Sequence, residues 1–197
     1  MTAVVDYNSG NVRSVMNALS RLGADAVLTA DPDQIRRADR VIFPGVGAAA
    51  SAMAELEKSG LIEVLREYER PFLGICLGMQ LMNFFSEEGN VSLLGITPEH
   101  VRLFDRAAGD KIPHVGWNEI QVSDDPLFKG IADGTWFYFV HSYYAEASER
   151  TIASCSYAGV TFSAAIRKDN FRGVQFHPEK SGGAGALLLK NFLEVKW

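Results

Sequence analysis

Short apolar runs alternate with longer amphipathic stretches through the first part of the chain, and this alternation constrains the fold more than any other feature. The apolar runs are "TAVVD", "DAVLT", "RVIFPG" and "FLGI". The stretch "NVRSVMNALSRLG" carries apolar residues at helical spacing, at Val12, Val15, Met16, Leu19 and Leu22. Asp31 and Pro32 are a typical helix start, and a helical block runs from Ala48 to about Glu69. Strands separated by helices in this way predict a parallel sheet with helices on both faces.

After about Gly95 the pattern changes to shorter strand-like runs separated by turn residues. These runs are "EHVRLF", "WNEIQV", "TWFYFVH", "TIASCSY", "VTFSAAI" and "RGVQFH". They predict a mostly antiparallel extension of the same sheet, closed by a final helix from roughly Ala184 to Val195. We therefore expect one α/β domain over residues 1–197, built on an open mixed sheet that is mostly parallel in its first half.

The composition argues against several functional classes. The formal net charge of −5 and the lack of a Lys and Arg cluster argue against nucleic-acid binding. Asp6 and Asn8 interrupt the apolar N-terminal run, and the longest apolar region, Phe72 to Phe85, contains glycines and amides, so neither a signal peptide nor a membrane span is expected. Cys76 and Cys155 are too few for a disulfide framework, which favours a reducing, cytoplasmic location. We expect no metal site and no cofactor, and protein and small-molecule partners.

Cys76 stands where an apolar strand breaks into a helix. In "GICLG", Gly74 and Gly78 lie two residues before and two residues after it, which is the pattern of a nucleophile elbow. A cysteine at a helix N-terminus is favoured as the reactive thiolate, and the backbone N–H of Leu77 is then available to an oxyanion. The alternative is a cysteine packed in the core as a small hydrophobic residue. Cys155 lacks flanking glycines and is expected to be such a core residue.

A nucleophilic cysteine needs a base and a group that orients the base, and four histidines are available. His177 ends an apolar strand in "GVQFHPEKS", with Glu179 two residues on. In extended backbone these two side chains point to the same side, so the carboxylate can fix the imidazole tautomer. The alternative to a catalytic pair is that His177 and Glu179 are surface residues beside a proline turn. His114 and His141 lie beside loops, where binding and structural roles are equally open.

The loop "FPGVG" from Phe43 to Gly47 follows another strand of the predicted parallel sheet. Ligands of such sheets bind beyond the carboxyl ends of the strands, and Gly45 and Gly47 allow the backbone to approach a ligand closely. A plain turn is the alternative. The loop lacks the sequence of a phosphate-binding loop.

Three ordered stretches, "PGVG", "GICLGMQ" and "GVQFHPE", resemble the signatures of the class I glutamine amidotransferases. That resemblance implies an α/β glutaminase fold with a Cys-His-Glu triad. Within the superfamily, "DYNSGN", "KIPHVGWN", "FVHSYY" and "FHPEKSG" resemble the glutaminase subunits of imidazole glycerol phosphate synthases, which serve histidine biosynthesis. The similarity extends from Val5 to the final helix.

The resemblance implies a role for each matching position. It makes Cys76 the nucleophile, His177 the general base and acid, and Glu179 its orienting residue. It assigns the oxyanion hole to the backbone amides of Val46 and Leu77. The implied glutamine contacts are Gly47, Gln80, His141, Ser142 and Tyr143. The implied partner-interface residues are Asn11, Val115, Trp117, Tyr138 and Lys180, although Trp117 and Tyr138 are equally compatible with a core position.

The implied reaction is thiolate attack on glutamine, release of ammonia and hydrolysis of a glutamyl thioester. The resemblance further implies that ammonia passes to a (β/α)8-barrel cyclase, a separate subunit that forms a heterodimer with this chain. The alternatives are a free-standing cysteine hydrolase of γ-glutamyl compounds, another class I amidotransferase subunit, and an inactive scaffold. One local departure from the family is the segment 88–104, where Glu99 stands in place of a small residue.

Overall fold

The first half of the chain forms the alternation of strands and helices that its sequence predicts. The structure is a computed structural model and describes residues 1–7, 10, 12–105 and 109–195. The elements as far as Leu81 are β1 (Thr2–Val5), α1 (Val12–Arg21), β2 (Ala26–Thr29), α2 (Pro32–Arg37), β3 (Arg40–Gly45), α3 (Ala49–Lys58), α4 (Leu61–Arg66), β4 (Phe72–Cys76) and α5 (Leu77–Leu81).

Local sequence signals explain where these helices begin and end. The Asp31 carboxylate accepts a hydrogen bond from the Asp33 N–H at 2.8 Å, which satisfies a backbone donor at the start of α2. The predicted helical block from Ala48 to Glu69 is two helices, because Gly60 adopts a φ of +68° between them. That left-handed conformation suits glycine and ends α3 before α4 begins.

The second half is dominated by strands. Its elements are β5 (Phe85–Ser86), β6 (Val91–Ser92), β7 (His100–Leu103), β8 (His114–Val122), a 3₁₀ turn (Pro126–Phe128), β9 (Thr135–His141), β10 (Tyr143–Ala145), β11 (Thr151–Tyr157), β12 (Val160–Lys168), β13 (Phe171–Val174), a second 3₁₀ turn (Pro178–Lys180) and α6 (Gly182–Glu194). Among the strands, β5, β6 and β10 are only two or three residues long, too short to give a periodic sequence pattern.

One mixed sheet runs through both halves of the chain. Its nine strands lie in the order β2-β1-β3-β4-β13-β12-β11-β8-β9. The strands β2, β1, β3, β4 and β13 pair in parallel, and the remaining pairs from β13 to β9 are antiparallel. The predicted α/β class, with a parallel first half and an antiparallel extension, is confirmed.

The prediction that "EHVRLF" extends this sheet is wrong. Strand β7 belongs to a separate four-stranded sheet with the order β10-β7-β5-β6. The hairpins β8–β9 and β11–β12 occupy the antiparallel half of the main sheet, so β7 pairs instead with β5 and β10. Two strands of this small sheet, β6 and β7, lie in the segment 88–104 that departs from the family pattern. In the same segment Glu99 accepts a hydrogen bond from Arg150 at 3.1 Å.

Two hydrophobic cores lie on opposite faces of the main sheet. Helices α2, α3 and α4 pack on one face, where Ile35, Leu56 and Leu65 meet the strand residues Val41 and Phe72. Helices α1 and α6 pack on the other face, and their apolar residues Val15, Leu19, Leu188, Leu189 and Phe192 meet Ile42, Leu73 and Ile75. The sheet is therefore covered by helices on both faces, as a parallel sheet requires.

The strand register brings three chain segments to one edge of the sheet. Gly45 at the end of β3 is paired with Cys76 at the end of β4. On the other side of β4, Ile75 pairs with Val174 at the end of β13, which leads directly to His177. The loop "PGVG", the cysteine and the histidine thus meet at the carboxyl ends of adjacent parallel strands.

Candidate active site

Cys76 occupies a strained turn between β4 and α5. Its backbone has φ +53° and ψ −109°, a conformation that non-glycine residues rarely adopt. The two flanking glycines permit this turn: a Cβ at Gly74 would lie 2.8 Å from the Gly78 carbonyl, and a Cβ at Gly78 would overlap the Phe43 carbonyl oxygen. The chain therefore has the elbow geometry predicted from "GICLG".

His177 lies beside Cys76 and is fixed by Glu179. The imidazole Nδ1–H donates to Glu179 Oε1 at 2.9 Å, and both side chains are buried. The His177 backbone N–H also donates to the Tyr138 carbonyl at 2.8 Å, which anchors the histidine to β9. The structure thus brings Cys76, His177 and Glu179 together.

The environment of His177 favours its charged form. Burial lowers its pKa, but hydrogen bonds to Cys76 and Glu179 and the charges of those two groups outweigh burial and raise the pKa to about 10. Such an imidazolium stabilises a thiolate beside it, and a thiolate is the nucleophilic form of cysteine. The arrangement is chemically competent for nucleophilic attack assisted by an acid and base.

A cavity of about 330 Å³ opens above the sulfur of Cys76. This volume lies within the usual range for a small-molecule site, roughly 300–1,000 Å³. The predicted site residues that line it are Val46, Gly47, Cys76, Leu77, Gln80, His141, Ser142, Tyr143, His177 and Lys180. Glu88, Pro113 and Val140 also line it and were not predicted. Glu179 stands outside this lining, on the imidazole Nδ1 of His177.

Comparison with known proteins identifies the family of this chain. The family model for class I glutamine amidotransferases matches residues 3–195. The chain belongs to this family. It is 53% identical over 194 residues to imidazole glycerol phosphate synthase subunit HisH of Bacteroides fragilis and 48% identical over 195 residues to the HisH subunit of Escherichia coli, covering 98% of both chains in each case. It is thus also a relative of the HisH subunits.

Solved structures of the family share its fold. A crystal structure of a glutamine amidotransferase aligns with a TM-score of 0.75, 18% identity and coverage of 98% of this chain and 97% of the other. At 18% identity this similarity supports the fold assignment and no functional assignment.

Gln80 of this amidotransferase is held rigidly at the cavity wall. Its Nε2 donates to the Tyr143 carbonyl at 2.8 Å and to Gln175 Oε1 at 2.9 Å. Gln80 is almost fully buried, and both amide hydrogens are used within the protein. Its side-chain carbonyl therefore remains as the group that a ligand N–H can reach.

His141 lines the cavity but its ring nitrogens are engaged within the protein. Nδ1 lies 2.8 Å from the Tyr143 carbonyl oxygen, and Nε2 lies 3.0 Å from His114 Nδ1. Burial lowers the pKa of His141 to about 3 and that of His114 to about 4, so both rings are neutral at pH 7. His141 and His114 are therefore a buried polar pair that supports the cavity wall.

Glu88 is a cavity residue without a recognisable sequence signal. It accepts a hydrogen bond from the Ala49 N–H at 2.9 Å, and partial burial raises its pKa. It lies in the segment that departs from the family pattern, in the turn between β5 and β6, and the pairing of these two strands in the second sheet brings it to the cavity. No local motif could have identified it.

Three of the five residues predicted for a partner interface, Val115, Trp117 and Tyr138, lie on the β8–β9 hairpin beside the cavity, and Lys180 lies in the second 3₁₀ turn. Val115 and Trp117 are 56% and 50% exposed, so the alternative of a core position is wrong for Trp117. Trp117 packs edge-on against Tyr138 at 6.1 Å, and the Lys180 ammonium lies 5.9 Å from the Tyr138 ring. Asn11 lies outside the described residues. Trp136, which was not predicted, is 54% exposed on the same hairpin.

The described residues contain no group of three or more His, Cys, Asp or Glu side chains that could hold a metal ion. Within the same residues, no helix is long and apolar enough to cross a membrane.

Proposed function

We propose that this chain is the glutaminase subunit of an imidazole glycerol phosphate synthase, with Cys76 as its nucleophile. The observation that carries the proposal is the elbow at Cys76, whose sulfur faces a ligand-sized cavity beside the buried His177–Glu179 pair. The identity of about half of the chain to HisH subunits supports the pathway assignment.

The proposed reaction begins with attack of the Cys76 thiolate on the side-chain carboxamide of glutamine. The carbonyl electron pair moves to oxygen, and the backbone N–H groups of Val46 and Leu77 receive this oxyanion. As the tetrahedral intermediate collapses, the C–N bond breaks and His177 gives its proton to the leaving nitrogen, so ammonia departs. A glutamyl thioester remains on the sulfur.

Hydrolysis of the thioester regenerates the enzyme. His177, now neutral, accepts a proton from a water molecule that attacks the thioester carbonyl. The C–S bond breaks, glutamate is released, and the thiolate and imidazolium are restored. Glu179 accepts the hydrogen bond from Nδ1–H throughout, so that Nε2 is the nitrogen that exchanges protons.

Glutamine is proposed to bind with its two ends recognised separately. The Glu88 carboxylate supplies a negative charge for the α-ammonium group, since charge-assisted hydrogen bonds are the stronger class. Gly47, Gln80, His141, Ser142 and Tyr143 form the rest of the wall that receives the substrate.

A separate cyclase subunit with a (β/α)8-barrel fold is the proposed recipient of the ammonia. The exposed apolar hairpin surface of Val115, Trp117 and Trp136 supports docking there, because aromatic residues are enriched in the centres of interfaces. Lys180 both lines the cavity and approaches Tyr138 on this hairpin, so the proposed docking surface borders the site of ammonia release. A cytoplasmic location and the absence of a cofactor stay predictions.

The test is glutamate release from glutamine by the chain alone and in the presence of a histidine-pathway cyclase subunit with its ribulosyl-phosphate ligand. We expect low activity alone, a large rise in the mixture, and loss of activity in Cys76→Ala. Full activity alone that the cyclase does not change would favour the free-standing hydrolase. Unchanged hydrolysis by Cys76→Ala would refute the assignment of the nucleophile.

A further inference from the structure

Gln175 is a buried residue that contacts the sulfur of Cys76 and has no part in the reaction proposed above. It lies directly after β13, two residues before His177, and is completely shielded from solvent. Its Nε2 lies 3.7 Å from Cys76 Sγ, within hydrogen-bond range for a sulfur acceptor. Its Oε1 lies 2.9 Å from Gln80 Nε2.

The surrounding hydrogen bonds fix which end of the Gln175 amide faces the sulfur. The Tyr143 carbonyl can only accept, so the atom of Gln80 that lies 2.8 Å from it must be the amide nitrogen. The second hydrogen of that nitrogen points to Gln175 and requires an oxygen there. The Gln175 NH₂ group must therefore face Cys76, and the alternative amide orientation would place two donors against each other.

The same carbonyl anchors a second chain of hydrogen bonds. His141 Nδ1 lies 2.8 Å from the Tyr143 oxygen and must carry a hydrogen, which leaves His141 Nε2 as an acceptor. His114 Nδ1 lies 3.0 Å from that nitrogen and must donate to it. The Tyr143 carbonyl therefore has two donors, from Gln80 and His141, and its position is fixed from two sides.

We propose that Gln175 donates a hydrogen bond to the Cys76 thiolate and thereby stabilises and orients the nucleophile. The hydrogen bonds from Gln80 to the Tyr143 carbonyl and to Gln175 Oε1 keep the NH₂ group of Gln175 facing the sulfur. The donor lies on the strand that leads to His177, so one segment supplies two hydrogen-bond donors to the same sulfur. This inference rests on the proposed function, because it takes Cys76 to be the nucleophile.

The test is the pH dependence of alkylation of Cys76 by iodoacetamide, followed by mass spectrometry of the peptide that contains it. The reaction needs no glutamine and reports the thiolate directly. Burial raises the pKa of the other thiol, Cys155, to about 12, so Cys155 remains a thiol below pH 9 and is not alkylated there. Besides Cys76 itself, the titratable or charged side chains lining the cavity are unchanged in the variants; they are Glu88, His141, Tyr143, His177 and Lys180.

Two substitutions of Gln175 separate the donor from the rest of the residue. Gln175→Glu keeps the oxygen that accepts from Gln80 but replaces the NH₂ group with a second oxygen. Gln175→Met removes the donor without adding charge, and it also leaves one Gln80 N–H without an acceptor. We therefore expect a lower melting temperature than the wild type for both variants, because Gln175→Met leaves a buried N–H unpaired and Gln175→Glu buries a carboxyl group.

We expect the alkylation midpoint to rise by about one pH unit or more in both variants, because Gln175→Met loses a hydrogen bond to a charged group and Gln175→Glu adds the repulsion of a carboxylate to that loss. We also expect kcat for glutamine hydrolysis, measured with the cyclase subunit, to fall about tenfold while KM changes much less. Gln121→Met, on the exposed side of β8, is the matched control and should leave the midpoint unchanged.

An unchanged alkylation midpoint in Gln175→Met would overturn the inference. This holds even if the midpoint shifts in Gln175→Glu, because a shift in that variant alone would be an effect of the added carboxylate. A melting temperature lowered without a shift in the midpoint would also overturn it and leave a purely structural residue. Failure of the proposed function is distinguishable, since it would appear as hydrolysis that survives Cys76→Ala.

Discussion

The carbonyl oxygen of Val140 lies 3.8 Å from the sulfur of Cys76. Val140 is on β9 and pairs in the β8–β9 ladder with Val115, one of the exposed residues of the proposed docking surface. The hairpin that carries this surface therefore touches the nucleophile through its own backbone. If docking displaced β9, the surroundings of the sulfur would change directly, because no other residue lies between the Val140 carbonyl and Cys76.

The elbow can be tested at Gly78. We expect Gly78→Ala to lower the free energy of unfolding by about 3 kcal/mol or more, because its Cβ would overlap the backbone carbonyl of Phe43, and backbone atoms cannot rotate away as a flexible side chain can. Denaturation by urea measures this change. Gly183→Ala is the matched control: its Cβ meets no atom within 4 Å, and alanine within α6 should be neutral or stabilising by up to about 1 kcal/mol. Equal stability of the two variants would contradict the steric argument.

The buried histidines predict how stability depends on pH. The pKa of His141 in the folded chain, about 3, lies below its ordinary value of about 6.5, so between these values the unfolded state binds more protons. The contribution of His141 to the free energy of unfolding should therefore be greatest above pH 6.5 and fall as the pH is lowered, by about 1.4 kcal/mol per pH unit. The lowered pKa of His114 acts in the same direction. The raised pKa of His177, about 10, acts in the opposite direction, but only above pH 6.5.

Urea denaturation of the wild type and of His141→Gln between pH 7.5 and about 4.5 measures this dependence. The slope should be smaller in His141→Gln by the contribution of one proton. His100→Gln, at a half-buried histidine on β7, is the control and should keep the wild-type slope. A wild-type slope in His141→Gln would show that this ring is protonated in the folded chain.

The proposed docking surface can be tested at Trp117. We expect Trp117→Ala to weaken binding of the cyclase subunit by about thirtyfold, because a large exposed aromatic residue is a typical binding hot spot worth about 2 kcal/mol. Isothermal titration calorimetry gives the affinity. The control Phe84→Ala removes another aromatic side chain, 55% exposed, directly before β5 of the small sheet. The surface assignment fails if Phe84→Ala weakens binding as much as Trp117→Ala does.

The parts of this molecule that could be predicted from sequence are those encoded by neighbouring residues. The strand β3, the cap at Asp31 and the elbow around Cys76 each depend on a few consecutive side chains. The position of β7 could not be predicted in this way, because its strand pattern does not specify which partner it pairs with. Glu88 and Gln175 were missed for a related reason: their contacts depend on sheet pairing and on buried amide orientation, neither of which leaves a local pattern.

Glu88 offers the sharpest test of how the substrate is recognised. If its carboxylate binds the α-ammonium group of glutamine, Glu88→Gln should raise KM by about ten- to a hundredfold through the loss of a charge-assisted hydrogen bond. The chemistry at Cys76 should change less, because Glu88 meets the far end of the substrate. Steady-state kinetics with the cyclase subunit present give both constants.

Two comparisons isolate the charge at Glu88. Glutaramate, which is glutamine without its amino group, should be a much poorer substrate than glutamine for the wild type, and Glu88→Gln should reduce that preference. Glu87→Gln removes the neighbouring carboxylate, which is exposed and pairs with Arg102 at 3.0 Å outside the cavity, and should keep the wild-type preference. If Glu88→Gln still discriminated against glutaramate as strongly as the wild type, the α-ammonium group would have to be recognised by the backbone carbonyls of the cavity wall instead.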